Sequence, residues 1–135
     1  MAAESTRRKT ALQYYRRHTG QDYVAKVSPH DPPSIADLTW LGLERNYGES
    51  WSRPGLDLRT KSFITLSATA AMGCDEALKA YIAAAHEVGI TKDEIVEWLI
   101  HLNGYIGTPR TNAALAVART VWQSMAEKRA GTADA

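Results

Sequence analysis

The chain has 135 residues, 44% of them hydrophobic and 23% charged, the composition of one globular domain with a single core spanning 1–135. Sixteen basic residues against 15 acidic ones leave a net charge of +1, which excludes a general field for nucleic acid or an anionic membrane, so any preference for anions must come from individual arginines. A single cysteine, Cys74, excludes an intrachain disulfide and a cysteine-rich metal site.

The apolar spacing is helical nearly throughout, and no segment alternates with the period of two that a half-buried strand requires. An all-α fold of six to seven helices follows. The first residues, Met-Ala-Ala-Glu-Ser-Thr-Arg-Arg-Lys, hold no apolar run of the kind a signal peptide needs, and no stretch approaches the ~18 apolar residues of a membrane span. The expected location is the cytoplasm.

In chain order, residues 5–18 form a charged helix, with Arg7, Arg8, Lys9, Arg16 and Arg17 as a solvated face. A short helical turn is expected around 23–27, stopped by Ser28-Pro-His-Asp-Pro-Pro33. The next helix spans about 34–47 and runs into a polar loop over 48–56, where Pro54, with a fixed backbone angle, and Gly55, with permissive ones, make a turn that presents Glu49, Trp51 and Arg53. Asp57 can cap a helix that carries Phe63, Ile64, Leu66, Ala70 and Met72 and ends at Gly73. Asp75 can cap the segment through Val88, and Gly89 suits a left-handed C-terminal position. Thr91-Lys-Asp-Glu94 is a capping box for the helix that follows. Thr108 and Pro109 open a last helix reaching about 129, and the small polar residues from about 130 read as a frayed tail.

The helix over 91–106 separates into two stripes. Ile95, Leu99, Leu102 and Ile106 make a core face; Glu94, Trp98, His101 and Tyr105 make a polar-aromatic one, suited to a pocket wall or a subunit interface. Alanine-rich stretches at 68–71, 83–85 and 113–118 allow close helix approach, and a chain this small with so much alanine is expected to complete its core by forming homo-oligomers.

Three blocks carry a family likeness: Trp51-Ser-Arg-Pro-Gly-Leu56 with Arg59-Thr-Lys-Ser62, then Gly89-Ile-Thr-Lys-Asp-Glu-Ile95, then His101 through Tyr105-Ile-Gly-Thr-Pro109 with Asn112-Ala-Ala114. In order and spacing the chain resembles the carboxymuconolactone decarboxylase family, in its gamma-carboxymuconolactone decarboxylase branch. The resemblance implies an alkylhydroperoxidase-like helical fold, a hexamer built as a trimer of dimers or a trimer, and loss of CO2 from an unsaturated lactone acid without a cofactor or metal. The peroxidase branch uses a Cys-x-x-Cys pair, a histidine and a glutamate; here Cys74, Ala77, Tyr81 and Ser62 stand at those positions, so a dithiol relay is impossible. The decarboxylase branch keeps a histidine where this chain has Tyr81. His86 does not stand in for it by a one-turn shift, because five residues turn a helix by about 500° and leave the side chains about 140° apart.

The chemistry implied needs cations for substrate carboxylates, a donor to a developing oxyanion and an acid for the ring carbon. The candidates are Arg53 and Arg59 as bidentate carboxylate binders, with Trp51 and Tyr105 beside the substrate, and His101, Tyr81, Glu49 and His86 as donor or acid. Each has a bland counterpart. Glu49 and Arg53 are also an ion pair that closes a loop, Trp51 an anchor, His101 an interface histidine, Cys74 a buried inert thiol, and Tyr81 and His86 packing residues. The expected partner is a small carboxylic acid, not nucleic acid or a membrane. Isomerisation, dehydration or cyclisation by a diverged relative, and ligand binding without turnover, remain open readings at this point.

Overall fold

The computed structural model describes residues 4–133 and contains helices and connections, with no strand among those residues. Six α-helices and one π-helix lie among the described residues, in agreement with the all-α expectation. The described residues fall into two compact units, one ending at Leu58 and the other beginning at Arg59.

In the first unit, helix α1 (Thr6–Thr19) starts where the Ser5 hydroxyl accepts the Arg8 amide at 3.1 Å and stops at Gly20, whose φ of 73° directs its N–H to the Arg16 carbonyl. The expected turn of helix at 23–27 is absent; this stretch is irregular. Helix α2 (Ile35–Leu43) passes directly into a π-helix (Glu44–Trp51). The helix expected to end at 47 thus continues, so that Glu49 and Trp51 stand on helical backbone and the loop expected over 48–56 begins only at Ser52. The reason lies in packing: a Cβ at Gly48 would lie 2.9 Å from the Arg7 carbonyl oxygen, so this glycine is a site of close helix approach and not a break.

The core of this unit is aromatic. Ala11, Leu43, Tyr47 and Trp51 are buried, with Tyr14, Tyr15, Tyr23 and Trp40 packed around them. His18 is wholly buried, its Nδ1 2.7 Å from the Tyr47 hydroxyl and its ring stacked on Trp51 at 4.0 Å. The basic face of α1 is solvated as its charge pattern predicts at Arg7, Lys9, Arg16 and Arg17, with Arg8 the exception. Arg8 is half-buried, pairs with Glu44 at 2.7 Å and covers the Trp40 ring at 4.4 Å, while Arg7 pairs with Glu49 at 3.1 Å and Arg16 with Asp22 at 2.5 Å.

In the second unit, helix α3 (Leu58–Met72) ends at Gly73, α4 (Asp75–Glu87) and α5 (Lys92–Ile106) are joined by a short turn, and α6 (Thr108–Ala133) packs against both α4 and α5. Gly73 has a φ of 70°, a left-handed backbone angle that favours glycine, and the Arg110 guanidinium lies over the space a Cβ would take. Two boundaries differ from expectation. Cys74, not Asp75, occupies the N-cap position of α4 and contributes no side-chain bond, and its thiol is exposed instead of buried, as part of the exposed connection between α3 and α4. The last helix continues to Ala133, beyond the expected 129. The core stripe of α5 stands as read: Ile95, Leu99 and Leu102 are buried with Leu66, Leu78, Ile82 and Ile90, and Ile106 packs on their edge.

Burial holds the His18 imidazole at a pKa of about 4, below the ordinary 6.5. The folded state therefore prefers the neutral ring, and this contribution is complete above the unfolded pKa and lost as pH falls towards 4. Urea unfolding of wild type, relative to His18→Phe, is expected to lose about 3 kcal/mol between pH 7 and pH 4. Equal pH dependence in the two proteins would contradict this account.

Candidate functional site

The α4–α5 turn is fixed before any substrate group is considered. Thr91 and Glu94 make the complete capping box: the Thr91 hydroxyl accepts the Glu94 amide at 3.1 Å, and the Glu94 carboxylate accepts the Thr91 amide at 2.8 Å. The second oxygen of Glu94 accepts from Arg59 at 2.5 Å, and the other arm of Arg59 donates to the Gly89 carbonyl at 3.0 Å. The Thr91 amide, and then the Arg59 guanidinium, hold the Glu94 carboxyl below its usual range. Arg59, expected from sequence to bind a substrate carboxylate, thus grips the protein's own turn.

His86 closes the same turn from α4. Its Nδ1 lies 2.6 Å from the Ile90 carbonyl, and the Trp122 indole donates to its Nε2 at 3.0 Å. A carbonyl can only accept and an indole N–H can only donate, so the hydrogen sits on Nδ1 and the Nε2 lone pair faces Trp122. Both ring nitrogens therefore hold protein partners.

Helices α3 and α5 line an open groove of about 640 Å³. Phe63, Ile64 and Ser67 contribute from α3; Glu94, Glu97, Trp98 and His101 contribute from α5. The four-residue step from Phe63 to Ser67 and the three- and four-residue steps from Glu94 through Trp98 to His101 place each set on one helix face. Ser67 orients the indole: its hydroxyl accepts Trp98 Nε1–H at 2.9 Å while donating to the Phe63 carbonyl at 2.8 Å. Trp98 is consequently buried, and His101 is exposed at the groove, its ring 5.4 Å from that of Tyr105. The lining is mainly apolar, and the His101 imidazole joins the Glu94 and Glu97 carboxylates as its ionisable groups. Such a surface suits a flat unsaturated ring or chain, with a proton donor at its edge.

The polar-aromatic stripe read from sequence is in this way a pocket wall over Glu94, Trp98 and His101, and Tyr105 extends beyond it, 79% exposed. Tyr81, on α4, is half-buried and packs against the core of the second unit, whereas the groove is built from α3 and α5. In the first unit Trp51 is an anchor, buried between His18 and Tyr47; Glu49 pairs with Arg7; Arg53 is exposed on the segment after the π-helix. Sequence patterns mark Phe63 and Ile64 only as helix-forming apolar residues and do not single out Ser67, Glu97, Tyr47 or His18. A signal for His18 exists, since it lies seven residues after Ala11 on the buried side of α1. No group of three or more His, Cys, Asp or Glu side chains among the described residues is placed to hold a metal ion. No helix among them is long and apolar enough to cross a membrane.

Comparison with known proteins gives one family match, to the carboxymuconolactone decarboxylase family, over residues 37–120. A 4-carboxymuconolactone decarboxylase from Acinetobacter baylyi is 38% identical over 79 residues, which are 58% of this chain and 59% of that protein. A nitrosuccinic acid decarboxylase from Metarhizium robertsii is 29% identical over 109 residues, 81% of this chain and 76% of its own length. An uncharacterised 15.0 kDa protein from Paracoccus denitrificans is 30% identical over 82 residues, 59% of this chain and 61% of that one. The matches to the Acinetobacter and Paracoccus proteins thus span about three fifths of those relatives' lengths.

The two partners of His86 define its cost of removal. Replacing it by phenylalanine keeps a ring but leaves the Ile90 carbonyl and the Trp122 N–H without partners, so stability is expected to fall by about 1–3 kcal/mol. Chemical denaturation checks the value, and an unchanged midpoint would show that neither bond matters.

Proposed function

This chain belongs to the carboxymuconolactone decarboxylase family, and we propose that it is a cofactor-independent lyase removing CO2 from a small carboxylic acid. The observation that carries the reading is His101 at the edge of an apolar groove floored by Trp98, Phe63 and Ile64. The named substrates of two relatives, a carboxylated lactone and a nitro-substituted diacid, share one electronic property. In each, the carbon that loses CO2 can pass its electron pair to oxygen, either the lactone carbonyl through the ring double bond or the nitro group.

The steps balance without a redox partner. The bond between the carbon and its carboxylate breaks, CO2 departs, and the electron pair moves to oxygen as a furanolate or nitronate. A proton then reaches the carbon. An apolar groove favours the charge-dispersed transition state over the compact carboxylate that precedes it. His101 serves as hydrogen-bond donor to the oxyanion or as the acid for carbon, with Tyr105 one turn on. Arg53 is assigned to a substrate carboxylate, for which its planar fork is suited. Glu49, His86 and Arg59 keep the protein partners described above. The enzyme is further proposed to act in the cytoplasm as a homo-oligomer, a reading supported by Ile64, Met72 and Ile100, which are large, apolar and exposed.

The replaced histidine also supports a second reading, in which the same oxyanion chemistry moves a proton without releasing CO2. Incubation with gamma-carboxymuconolactone and with nitrosuccinate in D2O separates the two. Release of CO2 with one solvent deuterium in the product is expected; deuterium in a product that keeps its carboxyl groups would favour the second reading. His101→Ala should lower kcat by about 10²-fold with little change in KM. Arg53→Lys should raise KM because it keeps the charge but loses the fork. Wild-type kinetics in both variants would place the chemistry elsewhere.

A further inference from the structure

We propose that His18 and Tyr47 are positioning residues for Arg53, acting through Trp51; this rests on the assignment of Arg53 to a substrate carboxylate. Neither residue is a ligand contact, since His18 is wholly buried and Tyr47 is 6% exposed. Their effect is on the backbone. Trp51 is the last residue of the π-helix and stands two residues before Arg53. Its indole is held from two directions, by the His18 ring at 4.0 Å and by the nearly parallel Tyr47 ring at 5.4 Å. The bond of 2.7 Å between His18 and the Tyr47 hydroxyl locks the two holding rings to each other.

From Trp51 the constraint passes along the chain with little freedom. The Ser52 hydroxyl donates to the Gly48 carbonyl at 2.9 Å, and the Arg53 amide donates to the Ser50 carbonyl at 3.1 Å. Pro54 then fixes the next φ. Both turn bonds end on residues of the π-helix, so the backbone at Arg53 takes its direction from the register of that helix. Each residue of an α-helix turns the chain by about 100°, so a change of even one residue in register would re-aim everything that follows. A π-helix of eight residues is a rare device, and such segments persist where surrounding packing enforces them. The His18–Tyr47–Trp51 stack is the packing that does so here.

Tyr47→Phe removes one hydroxyl and keeps every ring, and His18→Phe keeps the stack on Trp51 while deleting the bond. Each variant, verified as folded by its thermal transition, is assayed for CO2 release alone and combined with Arg53→Lys. Each single variant is expected to raise KM roughly three- to tenfold at nearly constant kcat, and to add nothing further in the Arg53→Lys background, because the fork being positioned is already lost. If Arg53→Lys raises KM while Tyr47→Phe and His18→Phe lower only the melting temperature, the stack is purely structural and the proposal is overturned. It is overturned equally if their effects on KM multiply with that of Arg53→Lys. An Arg53→Lys enzyme of wild-type KM overturns the assignment of Arg53 itself, and this inference with it.

Discussion

The second unit is organised by a single carboxylate. Glu94 accepts from the Thr91 amide on one side and from Arg59 on the other, while Arg59 reaches on to the Gly89 carbonyl. These bonds set where α5 begins, and burial of its Ile95, Leu99 and Leu102 stripe in the core leaves Trp98 in the groove wall. His86, bonded to Ile90 and Trp122, ties the same turn to α6. Glu94 also lines the groove, so one side chain joins the helix start to the surface where chemistry is proposed. Its depressed pKa follows from the same contacts and keeps the anchor ionised as pH falls.

The first unit solves a different problem. With few aliphatic residues in its interior, it packs aromatic rings edge to face and face to face, Tyr15 against Tyr23 and Tyr47, and Tyr47 against Trp51. A wholly buried histidine lies in this cluster, kept neutral by exclusion of water. An aliphatic side chain would fill the volume but could not bond the Tyr47 hydroxyl. The unit therefore exchanges some acid tolerance for a polar link inside a ring stack, and that link bears on the geometry of the segment carrying Arg53.

The decarboxylation chemistry proposed here asks little of a protein beyond shape and a few dipoles. The substrate supplies its own electron sink, whether a conjugated lactone or a nitro group, and the protein supplies an apolar wall, a proton and a carboxylate clamp. Family members can then differ in substrate while keeping the scaffold.

Much of the architecture was legible in the sequence because it rests on local rules. The capping box at Thr91 and Glu94, the left-handed glycines at 73 and 89, and the core stripe of α5 each follow from residues three or four apart or from a single backbone angle. The polar-aromatic stripe was legible too, although not the α3 residues that complete the groove. What only the tertiary structure decided depended on partners distant in sequence. Arg59 and Glu94 are 35 residues apart, Trp122 and His86 36, His18 and Tyr47 29, and no periodicity reports such pairings. The π-helix belongs with these: its residues from Gly48 onward read as a loop by propensity, and the ring stack with His18, together with the approach of α1 at Gly48, is formed only when α1 lies against it. Local sequence thus determined where helices start and which face they bury, whereas the burial of a polar ring and the partner of each charge were settled by packing.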